Sequence, residues 1–506
     1  MFSKLLSFPL ILILTGIAAL AMFLPMIDAL MRDDHSVAQA FGYSAVLGMA
    51  LVLIIGLAMS ARERRKDSDF SNLISLFLAY VLLPVFLAMP FYEALETTSF
   101  LNAYLDMVSA LTTTGLPLFN NPDRLVDSLH LWRGIVGWLG GLLIWVSASA
   151  VLAPLNLGGF EVTASAEPGQ NETRLDRFQR ASSAKRFQQI TYTLAPIYIG
   201  LTGGMWILLM LNGDRSLVAL IHSMSVMATS GISPVGGVQN GNSGLGGEMV
   251  MFLFMLFALS RLTFSKDTIT SAQSGFQTDP EFRLGVLLVI SVPILLFARH
   301  WLAAFDVDET ENLWMALQAL WGGAFTVLSF LSTTGFESGD WVAARDWSGL
   351  GTPGLILLGL SLVGGGVATT AGGVKLLRVY ALYLNGRREM ERLVHPSSVG
   401  RASEGSRRIR REGAFIAWIF FMLFAISLAL ITVVLAALGQ DLESALILSI
   451  AALSTTGPLV SVAAETPIVL LELAPGAKLV LCAAMVLGRM ETLAIIALLN
   501  PGFWRN

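Results

Sequence analysis

The sequence predicts an all-α integral membrane fold: two extra transmembrane helices, then four pseudo-symmetric helix/P-loop/helix repeats around one pore, about ten spans plus four pore half-helices. Three observations predict it. Of 506 residues, 55% are hydrophobic and 13% charged, against roughly 25% charged in soluble domains. Uncharged apolar runs recur at lengths near the roughly 20 residues that cross a bilayer core as helix. One short Thr-rich string ending in glycine occurs four times, its glycines 116, 104 and 122 residues apart.

The apolar runs fall near 5 to 27, 42 to 60, 71 to 92, 134 to 154, 190 to 212, 249 to 260, 284 to 298, 353 to 374, 413 to 438 and 479 to 499. Lipid offers no partner to an unpaired amide, so each is read as helix. The first run contains Ala19-Leu20-Ala21, which mimics a signal-peptidase site. Its apolar stretch exceeds the usual roughly 7 to 15 residues of a signal peptide, and it is read as a retained span. Loops that an inside start leaves in the cytoplasm hold 22 Lys and Arg; the opposite loops hold four, Arg32, Arg124, Arg215 and Arg345. That bias places both termini in the cytoplasm. Asp306, Asp308, Glu309, Glu311, Glu337 and Asp340 then fall outside, either as a solvated loop or as an acidic mouth that concentrates cations. The expected units are an N-terminal helix pair at 1–60 and pore repeats at 68–155, 187–267, 283–384 and 412–500.

A net charge of −4 carries no bulk positive field for nucleic acid, and the lone Cys482 excludes an internal disulfide framework. Gly349 to Gly354 fits G-x-G-x-x-G, but no strand precedes it and Pro353 interrupts it, so it is a decoy. No catalytic motif stands in a suitable context. The chain is expected not to be an enzyme and to bind no cofactor.

The repeated strings are Leu111-Thr112-Thr113-Thr114-Gly115, Met227-Ala228-Thr229-Ser230-Gly231, Leu331-Ser332-Thr333-Thr334-Gly335 and Leu453-Ser454-Thr455-Thr456-Gly457. Six residues before each glycine stand Ser109, Ser225, Ser329 and Ala451. Such internal repetition outranks any single motif. Irregular backbone at membrane depth is tolerated where it is buried or lines a water-filled path. Glycine after a Thr pair lets successive carbonyls turn toward one axis. Four such loops form a ring whose carbonyls can replace an alkali cation's water shell.

These residues, with the extra pair of helices at 5 to 60, resemble the bacterial Trk/Ktr/HKT superfamily of potassium transporters, most closely its TrkH branch, over essentially the whole chain. The resemblance implies a potassium filter made by the backbone of Thr113, Thr114, Gly115, Thr229, Ser230, Gly231, Thr333, Thr334, Gly335, Thr455, Thr456 and Gly457, with K+ as the substrate. Glycine in all four strings is similar to the potassium-selective members; Ser in the first would point to sodium.

Five glycines in Gly364 to Gly373 disfavour a continuous eighth span, each costing roughly 1 kcal/mol relative to Ala in a helix. Close helix packing is the other use of such glycines. The stretch resembles the family's intramembrane loop beneath the filter, which implies a gate at Gly364, Gly365, Gly366, Thr369, Thr370, Gly372, Gly373 and Lys375. Its Ala368-Thr369-Thr370-Ala371 departs from the common Gly-Ser-Thr-Ala pattern. Arg489, about 16 Å along a helix from Lys478, falls near mid-bilayer and needs a partner or a wet cavity. Position i+2 disfavours Glu491 on the same helix. Gly488-Arg489-Met490-Glu491 resembles the family's Gly-Arg-Leu-Glu, which implies a fixed positive pore charge at Arg489. Four of Arg133, Arg299, Lys375, Arg378 and Lys478 are expected to snorkel from helix ends.

Asp106 and His222 lie nine residues before the glycines of the first two strings; a stabilising anchor and a satisfied buried imidazole are expected. Trp132 is expected at the membrane interface. Residues 385 to 412 hold eight arginines and read as a solvated basic loop. The resemblance adds a homodimer in the bacterial inner membrane, contacting lipid and a cytoplasmic nucleotide-binding, TrkA-like regulatory subunit. The alternative function is a secondary transporter of another cation (sodium) or of a solute with ion coupling.

Overall fold

The computed structural model describes residues 9–60, 69–119, 121–153, 159, 183–260, 279–303, 313–349, 354–394, 411–464 and 466–491, and among them every regular element is helical. Seven helices are long and apolar enough to cross a membrane: Leu10–Met31, His35–Met59, Leu73–Ala94, Asp127–Leu152, Arg186–Leu211, Pro280–Ala298 and Gly413–Ala437. At 1.5 Å per residue these are roughly 28 to 39 Å long, enough for a core of about 30 Å. The remaining three expected spans are shorter helices. The sixth is Gly244–Met255 with a 3-10 turn, the eighth ends at Val363, and the tenth is helical over Pro475–Met490, its continuation lying outside the described residues.

In chain order the helices are α1 (Leu10–Ala21), α2 (Phe23–Met31), α3 (His35–Ser60), α4 (Asp69–Ala94), α5 (Phe100–Leu111), α6 (Asp127–Ser147), α7 (Ser183–Leu211), α8 (Ser216–Ala228) and α9 (Gly244–Met255). They continue as α10 (Pro280–Ala303), α11 (Leu313–Leu331), α12 (Trp341–Ser348), α13 (Gly354–Val363), α14 (Leu376–Val394), α15 (Arg411–Ala437), α16 (Leu442–Leu453), α17 (Leu459–Val462) and α18 (Pro475–Met490). Helices α5, α8, α11 and α16 each lead directly into one of the four strings.

Burial divides the spans. The α6 span is 78% buried, whereas those of α10 and α15 are 22% buried, so α6 is internal and the other two offer apolar sides to lipid. Without a hydrophobic force between helices in lipid, close approach depends on small residues. A Cβ on Gly140 of α6 would strike the backbone of Leu111, and one on Gly488 of α18 would strike that of Leu453. Both targets are the last residue of a pore helix, so in the first and last repeats glycine lets the following helix press against the pore-helix end.

Polar groups anchor the same contacts. Arg133 of α6 does not snorkel: it is 7% exposed and pairs with Asp106 of α5 at 3.0 Å. Lys478 is likewise buried, donating to Asn102 Oδ1 at 2.8 Å and the Leu471 carbonyl at 2.7 Å. Lys375 and Arg378 are buried as well, so the snorkelling expectation fails for every one of these cations among the described side chains; that of Arg299 lies outside them. Trp132 is not interfacial either. It is fully buried, donating to the Leu87 carbonyl at 3.2 Å with its ring edge-on to Phe41. Apolar runs reveal where a chain enters lipid, but not which face of a helix meets protein. At the exposed start of α16 the Ser444 amide donates to Asp441 and holds its carboxyl below the usual range.

Candidate functional site

All four pore helices end in the same way. Thr113, Thr229, Thr333 and Thr455 have φ of 53°, 50°, 59° and 54°, a left-handed conformation uncommon for a β-branched residue. The amide of the next residue then reaches back to the residue six before the glycine. Thr114 donates to the Ser109 carbonyl at 2.8 Å, Ser230 to Ser225 at 2.9 Å, Thr334 to Ser329 at 2.9 Å and Thr456 to Ala451 at 2.9 Å. This is the 6→1 bond of a left-handed helix terminus, usually built on glycine. Backbone strain of this kind clusters at functional sites. The Ser, Ser, Ser, Ala column in the sequence marks the accepting carbonyls; their side chains are not what recurs.

The four strings meet. A Cβ on Gly115 would run into the Ser230 carbonyl, one on Gly231 into the Thr334 carbonyl, one on Gly335 into Pro458, and one on Gly457 into Thr114 and Gly115. The strings therefore form a closed circuit, first to second, second to third, third to fourth, fourth to first. All twelve expected filter residues lie in it, and all are buried. Four helix C-termini, each carrying a partial negative charge, end at this circuit. The hydroxyl oxygens of Thr113, Thr229 and Thr455 are buried without a hydrogen-bond partner among the described residues. One member differs: Gly115, Gly231 and Gly335 have positive φ, Gly457 does not, and its amide donates to the Thr114 carbonyl at 2.6 Å.

The glycine-rich stretch breaks its helix, as expected. After α13 the chain leaves helical geometry at Gly364 and resumes it at Leu376. Gly364 and Gly373 take φ of 71° and 77°, and a side chain on either would strike the other's backbone. The loop between them lies against the strings. The Gly372 amide donates to Thr333 Oγ1 at 2.8 Å, Thr370 Oγ1 approaches the Met227 carbonyl at 3.4 Å, and a Cβ on Gly372 would strike Ser454. It is also tied from outside: Gly366 donates to the Ala258 carbonyl at 2.9 Å, and Val367 to Glu281 Oε1 of α10 at 3.2 Å. Within the loop, Thr369 Oγ1 donates to the Gly366 carbonyl at 2.8 Å and Lys375 Nζ to that of Ala371.

Arg489 is 4% exposed and donates through Nη1 to the Thr370 carbonyl at 2.7 Å. Glu491 is not its partner; that carboxylate pairs with Arg378 at 2.6 Å, whose guanidinium also lies 3.6 Å over the Phe420 ring. Nε and Nη2 of Arg489 have no hydrogen-bond partner among the described residues, and Tyr80 is a close neighbour. A small cavity bounded by Ala148, Thr369, Gly372, Lys375, Arg489 and Glu491 separates the loop from α6. Ala148 opens a π-helical turn, Ala148–Leu152, that continues α6; such turns favour functional sites and have no composition signal.

The position nine before each glycine braces the returning strand differently in three repeats. Asp106 holds Arg133, which reaches the Leu116 carbonyl at 3.5 Å; His222 Nε2 meets Ser233 Oγ at 2.9 Å; Thr326 Oγ1 accepts from the Ser338 amide at 3.3 Å. His222 is fully buried with Nδ1 unpartnered among the described residues, so only one of its two nitrogens is satisfied. Sequence inspection missed Glu248, buried in α9, which accepts from Trp321, Ser338 and Gly339 at 2.8, 2.7 and 2.6 Å and joins the second repeat to the third. The expected basic loop at 385 to 412 begins as helix, since α14 runs to Val394 with Arg387–Glu391 and Arg392–Glu389 pairs on its exposed side. Residues 306 to 311, and most of the Gly349 to Gly354 decoy, lie outside the described residues.

Residues 246–501, just over half of the chain, match the family model TrkH, described as a cation transport protein. The Trk system potassium uptake protein TrkH of Salmonella typhimurium is 28% identical over 493 residues, 96% of each chain. Its counterpart in Escherichia coli is 27% identical over 496 residues, again 96% of each. The crystal structure of the potassium transporter TrkH from Vibrio parahaemolyticus has the same fold, with a TM-score of 0.80 over 100% of both chains at 24% identity. The expectation of a transporter rather than an enzyme agrees with that family. A multi-pass, all-helical membrane protein, this chain belongs to the TrkH family of cation transport proteins.

Proposed function

We propose that the chain takes up potassium across the bacterial inner membrane through a single-chain pseudo-tetrameric pore. The observation that carries this reading is the closed circuit of four strings, each entered through the same left-handed helix terminus, with four helix C-termini directed at it. Carbonyls of Thr113, Thr114, Gly115 and their counterparts replace the water shell of K+, and negative helix ends offset the loss of hydration. The hydroxyls of Thr113, Thr229 and Thr455, which have no partner among the described residues, add oxygen ligands to the backbone set. The name of the relatives, potassium uptake proteins of a Trk system, supports the same substrate.

The Gly364 to Gly373 loop acts as the gate, a reading supported by its bonds to Thr333 and Met227, which seat it against the strings. Arg489, bonded to that loop, is the fixed charge that limits ion occupancy below the filter. Both termini face the cytoplasm, and the arginine-rich segment after α14 serves an acidic surface on a nucleotide-binding regulatory subunit of the Trk system. The protein works as a homodimer in lipid.

Growth of an uptake-deficient bacterium at low potassium tests the function. Expression of the parent chain is expected to restore growth, and Gly335→Ser, expressed to the same level, is expected not to. Equal rescue by both would reject the filter.

A further inference from the structure

Only the fourth string is followed by proline: Leu116, Ile232 and Phe336 follow the other glycines, Pro458 the last. Three features set this point apart. Gly457 lacks the positive φ of its counterparts and is bonded through its amide to the Thr114 carbonyl. The chain after Pro458 coils at once into α17. Pro458 is half-buried, while the twelve residues of the circuit are all buried.

The contacts of the pyrrolidine ring decide what this means. In the circuit first, second, third, fourth, the fourth string neighbours the first and third and stands opposite the second. A Cβ on Gly335, in the neighbouring third string, would lie 3.0 Å from Pro458 Cγ. A Cβ on Gly231, in the opposite second string, would lie 2.5 Å from the same Cγ and 3.0 Å from Cδ. The diagonal from the fourth string to the second is thus bridged, and the bridge is the apolar edge of a proline.

We propose that Pro458 is the outer constriction of the permeation path, a rigid ring lying on the pore axis that an entering cation must displace. The proposal rests on the pore reading above. The ring offers no oxygen to an ion, so this position opposes entry until the Gly457 amide releases the Thr114 carbonyl and the ring withdraws. The same movement returns Thr114 to the set of carbonyls available for coordination, coupling removal of the obstacle to completion of the filter.

The test uses the full-length protein in proteoliposomes, with potassium flux measured for the parent, Pro458→Ala and Gly335→Ser. Pro458→Ala is expected to raise flux by about tenfold, the effect of a barrier lowered by about 1.4 kcal/mol. Flux that is unchanged or lower in Pro458→Ala overturns the proposal. If Gly335→Ser abolishes flux in the same series, the pore reading survives that result; if neither variant differs from the parent, both fall. Should Pro458→Ala fail to fold, Pro458→Cys in a Cys482→Ala background replaces it. External cadmium is expected to block that variant and to spare Ser461→Cys, whose side chain is exposed three residues further on; equal sensitivity overturns the proposal.

Discussion

Gly115→Ala is expected to reduce potassium flux by about 100-fold or more, the effect of roughly 3 kcal/mol on the crossing barrier. Two costs combine. At φ of 66° an alanine adopts a left-handed conformation that costs roughly 1 to 2 kcal/mol. Its methyl then meets the Ser230 carbonyl of the neighbouring string, a backbone atom that cannot rotate aside as a side chain can. Either the first string moves or the second does, and the closed circuit opens; on the filter reading proposed above, a coordinating oxygen is lost with it. Flux in proteoliposomes at matched protein content measures the loss. Gly200→Ala is the control, since nothing among the described residues lies within 4 Å of its Cβ direction, and parental flux is expected there. Near-parental flux in Gly115→Ala would mean that the ring is loose and that ion passage does not depend on it.

Asp106→Ala is expected to lower stability by about 3 to 5 kcal/mol, because it leaves the Arg133 guanidinium buried without its counter-charge. Both side chains are nearly inaccessible, and the pair joins α5 to α6 at 3.0 Å. Burying two charges is itself costly, so the pair as a whole contributes less than its rupture costs. Asp106→Leu with Arg133→Met is therefore expected to recover most of the loss. Denaturation in detergent, read by tryptophan fluorescence, measures both variants. A double variant as unstable as Asp106→Ala would show that the charges themselves are required. Arg133 also approaches the Leu116 carbonyl just beyond the first glycine, so flux is expected to fall in the single variant even where the protein remains folded.

Much of this architecture is legible in the chain because lipid imposes strict terms on it. Hydropathy alone locates seven long helices, and the recurring Thr-Gly strings locate four helix ends to within a residue. The break after Val363 follows from five glycines in ten residues. What hydropathy misjudges is the fate of isolated charges. Arg133, Lys375, Arg378 and Lys478 look like residues that stretch toward water, yet each has a partner that is distant in the chain or carried on an irregular loop. No local pattern reveals that Arg378 meets Glu491, or that Glu281 reaches Val367. The departure of the fourth string is visible in the sequence only as a proline after glycine, and its meaning depends on which string stands opposite.

The intramembrane loop takes its bonds from several parts of the chain at once: Ala258 at the end of the second repeat, Glu281 and Thr333 in the third, and Arg489 in the fourth. No one of these can lengthen far without the loop surrendering the others, because its ends are tied backbone to backbone: the amides of Val374, Lys375 and Leu376 donate to the carbonyls of Leu362, Val363 and Gly365, each at 2.9 Å. Such an arrangement yields cooperatively. Intermediate displacements sacrifice several hydrogen bonds in a poorly solvated interior and gain none, so they are sparsely populated. On the gate reading proposed above, a modulator acts on the loop as one unit rather than on any single bond.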